Sequence, residues 1–247
     1  MTSQSVGFVG AVGGAGTTQS VIEIGGALAR DGRAVLVLDL DFATQGLERH
    51  VEGSIPVDST ALLSDPDRAL ADAVQEWSVD GSGSLGVVPA RAPFVQVADA
   101  KSAEAGERVA DRIAEAAADW VLLDVPPVVS NQAVGAVTAA DRTIGVIPPT
   151  DRGVDALQRE RGRLADVGTS FDGVLAVGAG DPPPDATAKL PARPDSAPAH
   201  RPATLESGGS FARAVASAAE QLLEVEVEPP NSPSATDRLG SLGDRFR

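Results

Sequence analysis

The chain has 247 residues, a net charge of −15, an isoelectric point near 4.4 and no cysteine. That length is enough for one α/β domain with a core of ordinary size, and the missing cysteines exclude a disulfide framework, a thiol nucleophile and a cysteine metal site. Of the 20 basic residues only Lys101 and Lys189 are lysine, and no basic stripe exists to release counterions from DNA phosphates, so direct DNA binding is not expected.

The acid is spread along the sequence instead of forming a tail, which fits a surface kept soluble in a high-salt cytoplasm; an acidic face for a basic partner is the other reading. No apolar run approaches ~18–20 residues and no leader pattern precedes the first one, so a cytoplasmic protein is expected. His50 lies in a charged stretch and His200 in a Pro/Ala-rich one, and both are expected at the surface and not as ligands.

Residues 5–11 (SVGFVGA) form a short apolar run, followed by the glycine cluster GGAG at 13–16. A helical pattern over 18–30 then puts Val21, Ile24, Gly25 and Leu28 on one face, and the run AVLVLDLD at 34–41 has the pattern of a buried strand ending in acid. In a parallel sheet this β-loop-α-β unit sets the glycine loop at the carboxyl edge. The alternation continues with helical segments over 60–77, a strand at 84–89, an amphipathic helix at 103–118 and a strand within DWVLLDVPP at 119–127. A helix at 131–140, a strand at 142–150, a helix at 153–167 and a strand at 171–178 follow. Five or six strands interleaved with helices predict a doubly wound, mostly parallel sheet flanked by helices.

After Gly180 the composition changes. Residues 181–203 are rich in proline and alanine and read as an extended connector, 207–224 return to helical spacing, and 225–236 read as a flexible linker. The segment 237–247 (DRLGSLGDRFR) spaces Leu239, Leu242 and Phe246 for one face of a short amphipathic helix, with Arg238, Arg245 and Arg247 among them. Gly240 and Gly243 weaken that helix by ~1 kcal/mol each relative to alanine. A solvated tail and a linear motif for a protein groove are the competing readings.

The segment G10-A11-V12-G13-G14-A15-G16-T17-T18 resembles the deviant Walker A loop, K-G-G-x-G-K-T/S, of the MinD/ParA family of P-loop ATPases. Glycines let successive backbone N–H groups turn toward a phosphate, and the helix that follows adds its positive N-terminal end. LVLDLDFATQG at 36–46 resembles the family's switch I, where a strand ends in D-x-D, and VLLDVPP at 121–127 resembles its Walker B strand, ending in D-x-P-P. VIPPTDRGVDALQ at 146–158 is similar to the strand and helix after Walker B, and 198–223 is similar to the closing segment with its proline-bearing connector.

The resemblance spans roughly 5–224 and implies a P-loop NTPase domain over 1–224 that takes ATP and Mg2+. It implies phosphate contacts at Gly13, Gly14, Ala15, Gly16, Thr17 and Thr18, a Mg2+ site near Thr18, Asp41 and Asp124, and a catalytic role for Asp41. Three departures bear on activity: the signature lysine falls on Val12, the lysine that touches the β/γ phosphates falls on Thr17, and the asparagine near the adenine falls near Gly178. Because catalysis of phosphoryl transfer rests on positioned charge, hydrolysis is expected to be slow or absent.

The implied function is a spatial-positioning or regulatory scaffold. Its expected partners are a second copy or a lysine-bearing paralogue in a dimer, another protein, and a membrane surface touched weakly through 237–247. Three alternatives stay open. One is a working ATPase with charge from an arginine such as Arg152 or from a partner. Another is a dinucleotide-dependent oxidoreductase, with G7-x-x-G10-x-x-G13 as its glycine motif and Asp39 as its ribose acid. The third is an interaction module whose glycines serve only tight helix–strand packing.

Overall fold

The structure, a computed structural model, describes residues 3–195, 197, 200–205 and 209–228. The expected terminal peptide 237–247, and all of the expected linker beyond residue 228, lie outside the described residues.

In chain order the elements are β1 (Gln4–Gly10), α1 (Thr17–Arg30), β2 (Ala34–Asp39), α2 (Ser59–Ser64), β3 (Gln75–Trp77), β4 (Ser84–Val88), α3 (Phe94–Asp99), α4 (Ala103–Glu115) and β5 (Trp120–Val125). They continue with α5 (Asn131–Ala139), β6 (Arg142–Ile147), α6 (Asp151–Asp166), β7 (Gly173–Val177), β8 (Ala188–Leu190) and α7 (Ser210–Leu223). The strands form one eight-stranded sheet in the order β3-β4-β2-β5-β1-β6-β7-β8. Every neighbouring pair is parallel except β3–β4. This is the doubly wound, mostly parallel sheet flanked by helices that the sequence predicts.

The central strand β5 is buried along its whole length, because helices cover both faces of the sheet. Its side chains alternate accordingly: Leu122 joins the cluster under α1 and α7, while Val121 and Leu123 join the one under α2, α4 and α5. The one-faced pattern of α1 understates its burial. Every residue from Ser20 to Ala29 is buried, since α7 and the 3-10 turn Ala203–Leu205 close over the side away from the sheet. Gly26 permits that closure, because a Cβ there would lie 2.6 Å from Thr204 Oγ1 and 2.8 Å from Pro202 Cβ.

Four expectations are corrected. Within 60–77 only α2 and the 3-10 turn Leu70–Asp72 are helical, and the rest ends in β3, the antiparallel edge strand. The helix α3 was not expected; Pro93 stands at its N-cap position, and Phe94 and Val95 are exposed, so no burial pattern marks it. The connector 181–203 contributes β8, which extends the sheet beyond β7. The expected linker begins with packed chain: Val227 is buried, the Arg33 guanidinium donates to Glu226 O at 2.8 Å, and the Glu228 N–H donates to Asp31 Oδ1 at 3.0 Å.

Candidate phosphate-binding cleft

The site is built at the carboxyl ends of β1, β2 and β5, next to one another in the sheet. As β1 ends, the Ala11 N–H donates to Val146 O of β6 at 3.0 Å, which fixes the take-off of the glycine loop. Gly14 has φ +75° and Gly16 φ +87°, left-handed conformations that cost an L side chain roughly 1–2 kcal/mol. Gly16 is also sterically committed, because a Cβ there would lie 2.9 Å from Val177 Cγ1. Gly16 is the N-cap of α1 and no side chain caps that helix. The first-turn N–H groups and the positive end of the helix dipole are therefore available to an anion. A Cβ built on Gly13 or Gly14 meets nothing within 4 Å, so the loop faces open space on that side.

Opposite the loop, β2 and β5 pair with Asp39 beside Asp124. The two carboxylates do different work. Asp39 is fully buried and accepts the backbone N–H groups of Asp41 at 2.9 Å and Leu47 at 3.2 Å, tying the turn after β2 to the strand end. Burial, with the Asp124 charge adding to it, holds its carboxyl well above the usual carboxylate range. Asp124 accepts the Thr18 hydroxyl at 2.5 Å, and burial raises it to about 7 despite that hydrogen bond, with the nearby Asp41 charge acting in the same direction. Asp41 is half-buried; its Oδ2 accepts the Thr44 hydroxyl at 2.7 Å and its Oδ1 the Ala43 and Thr44 N–H groups at 3.2 and 3.3 Å.

Between the two walls lies a cleft of about 390 Å³, within the size range of small-ligand sites. Gly13, Gly14, Ala15, Gly16, Thr17, Thr18, Asp41 and Asp124, all eight of the residues singled out in the sequence, line it. Neither Arg152 nor either lysine is among its lining residues. Its basic groups are Arg49 and His50, from the 3-10 turn Leu47–His50. His50, expected at the surface, is half-buried here, and Arg49 is not among the expected site residues. The only sequence signal for either was a basic pair shortly after the switch-like segment 36–46.

The dinucleotide reading does not fit this geometry. Gly7 lies within β1, packed against Ala140 and Val125, and the Asp39 carboxylate is committed to the turn and has no exposed surface to offer a ribose. At the far end, Gly178 (φ +115°) gives its N–H to Leu190 O at 2.9 Å and carries no side chain that could read a base.

The residues present fit a magnesium phosphate. A hydroxyl and carboxylates are the hard oxygen donors that Mg2+ takes, and the uncapped helix end beside open space at Gly13 and Gly14 fits the anion. Among the described residues no group of three or more His, Asp or Glu could hold a metal by itself. Mg2+ here would draw its remaining ligands from phosphate and water, as is usual for that ion.

A glycine loop entering an uncapped helix, facing an acid-tipped neighbouring strand of a parallel sheet, defines the P-loop NTPase fold. Among solved structures, several MinD proteins share this fold. The cell division ATPase MinD of Pyrococcus furiosus matches with a TM-score of 0.74 at 20% identity, covering 91% of this chain and 99% of that one. The septum site-determining protein MinD of Pyrococcus horikoshii OT3, complexed with Mg-ADP, matches with 0.70 at 19% over 97% and 98%. MinD in the MinC:MinD cell division protein complex of Aquifex aeolicus matches with 0.70 at 18% over 93% and 99%. At this identity the likeness is one of fold, and activity rests on the site. No protein-family model matches the chain, and a search of curated proteins found no match.

Proposed function

We propose that the chain is a MinD/ParA-like nucleotide-binding protein that takes Mg-ATP in this cleft, hydrolyses it slowly or not at all, and serves as a positioning or regulatory scaffold. One observation carries the reading: the glycine loop, the Thr18–Asp124 pair and Asp41 line a single cleft in which no lysine stands. The Pyrococcus horikoshii neighbour, complexed with Mg-ADP, supports the ligand class. Partners are proposed by analogy, a dimer with a second copy or a lysine-bearing paralogue among them; the MinC:MinD complex supports a protein partner.

In this reading the loop N–H groups and the end of α1 hold the phosphates. Thr18 and Asp124 would hold Mg2+, whose charge would offset that of the phosphates. Asp124 must lose its proton for that role, so magnesium and proton compete for it. Asp41 would orient water, its carboxylate held in place by Thr44. With Val12 and Thr17 in the lysine positions, the charge that stabilises a developing transition state is missing from the loop, which typically costs several kcal/mol. Calorimetric titration with Mg-ATP at high salt, paired with a phosphate-release assay, tests this. Stoichiometric binding with little release is expected, and turnover at rates ordinary for P-loop ATPases overturns the scaffold reading.

The second reading, a working ATPase with a substituted cation, is favoured by the presence of Arg49 in the cleft. It requires turnover that disappears in Asp41→Ala and Asp124→Ala.

A further inference from the structure

We infer that Arg49 supplies, from the wall opposite the glycine loop, the positive charge for the terminal phosphate of the bound nucleotide. This rests on the nucleotide-binding reading above and extends it.

The cleft carries an imbalance of charge. Asp41 and Asp124 line it together with a loop whose side chains are neutral, so a polyphosphate entering it would meet carboxylates and backbone dipoles alone if Arg49 and His50 were absent. Mg2+ at Thr18 and Asp124 offsets part of that repulsion. A nucleoside triphosphate brings more negative charge than one divalent ion neutralises, and a cation is needed at its terminal end.

Arg49 is built for that position. It belongs to a short 3-10 turn held on three sides. The turn's first residue, Leu47, is fully buried and donates its N–H to Asp39 Oδ2 at 3.2 Å. Gly46 lies so close to Thr18 that a Cβ would come within 2.7 Å of its hydroxyl oxygen, so the turn is in register with the metal-side residue of α1. Glu48, the acid beside Arg49, is taken by Arg91 at 3.1 Å.

The Arg49 side chain has no hydrogen bond or ion pair among the described residues, and it is exposed. In a protein with this excess of acid, an arginine held at a cleft and left unpaired is available to an anion. A guanidinium also suits the task, since its fork meets two phosphate oxygens at once where an ammonium meets one.

The geometry differs from that of a loop lysine in a way that an experiment can read. Arg49 enters the cleft from the turn after β2 and not from the glycine loop, and the proposal assigns it to the terminal phosphate. Its loss is therefore expected to penalise the triphosphate more than the diphosphate.

The test is equilibrium titration of the full chain with Mg-ATP and with Mg-ADP at fixed salt, for the wild type, Arg49→Ala, Arg49→Lys and the double variant Arg49→Ala/Thr17→Lys. Arg49→Ala is expected to weaken Mg-ATP by about 10- to 100-fold and Mg-ADP by less than about threefold, the size of one charge-assisted contact. Arg49→Lys is expected to fall between, and Thr17→Lys to restore much of the lost affinity by returning a cation from the loop side. Circular dichroism melts of the same variants show that folding is intact. Wild-type binding of Mg-ATP with no change in Arg49→Ala overturns the Arg49 assignment and leaves the nucleotide reading standing. Equal losses for ATP and ADP assign Arg49 to the general field of the cleft and overturn the terminal-phosphate role. A wild type that takes up neither nucleotide overturns both.

Discussion

The glycine loop at 10–18 and the turn at 39–50 are opposite walls of one cleft, and they are built on different physics. The loop is made of backbone: its shape rests on left-handed Gly14 and Gly16, its binding groups are peptide N–H donors, and open space lies beside Gly13 and Gly14. The turn is made of side chains: buried Asp39 fastens it, Asp41 and Thr44 order one another, and Arg49 projects from its 3-10 segment. A wall of backbone keeps its form when neighbouring side chains change, so Val12 and Thr17 can stand where the loop pattern it resembles has lysine without loss of the loop. A wall of side chains keeps its form only while each buried partner is present. Charge can therefore disappear from the first wall at little structural cost and be supplied from the second.

Breaking the fastening of the turn should have the largest effect. Asp39→Ala strands the buried N–H group of Leu47, at about 1–3 kcal/mol, and the part-buried one of Asp41, at somewhat less. A thermal melt should fall by roughly 5–15 °C, and Asp39→Asn, which keeps an acceptor, should lose clearly less. An Asp39→Ala protein that melts like the wild type would show that the turn is held by its apolar contacts instead.

Acidity should act next, through Asp124. Its pKa is raised in the folded protein from 3.8 to about 7, so the folded state holds the proton more tightly than the unfolded chain. The stability this lends the metal-free protein is complete below the unfolded value and is lost as pH rises toward 7, by about 2–4 kcal/mol. Asp39 is shifted in the same direction by its burial. Melts from pH 4 to 8 in chelator should decline over that window. Asp124→Asn should flatten the decline, and an unchanged slope would count against a protonated Asp124.

The contrast sharpens at the loop. Gly14→Val forces a branched side chain to φ +75° but meets no neighbouring atom, so stability should drop by only about 1–2 kcal/mol. Mg-ATP binding should nevertheless fall below detection in the same titration, because the side chain fills the cradle. Smaller again is Thr18→Ala, which removes the hydroxyl that meets Asp124. Its expected signature is a loss of about tenfold in ATP affinity with magnesium present and little change without it, with Thr18→Ser retaining the metal effect.

What was legible in the sequence followed from local pattern. The glycine spacing, the D-x-D strand end and the D-x-P-P strand end identify residues whose chemistry depends on their own segment, and the sheet brings them together because its strands are parallel. Arg49 was not legible because its position depends on a long-range bond, Leu47 N–H to Asp39, and on Gly46 fitting against Thr18. The full burial of α1 was invisible because half of its cover comes from 203–205 and α7, nearly two hundred residues downstream. β3 and β8 are three-residue edge strands, too short to show a period of two.

Whether this cleft holds intact Mg-ATP without a lysine is read directly from a crystal structure of the full chain grown at high salt with ATP and Mg2+. The expected density is an unhydrolysed triphosphate lying over Gly13–Thr18, with the metal at Thr18 and Asp124 and the Arg49 guanidinium on the terminal phosphate. A glycine loop with no nucleotide over it, or ADP alone in a protein that turns over in solution, would contradict it.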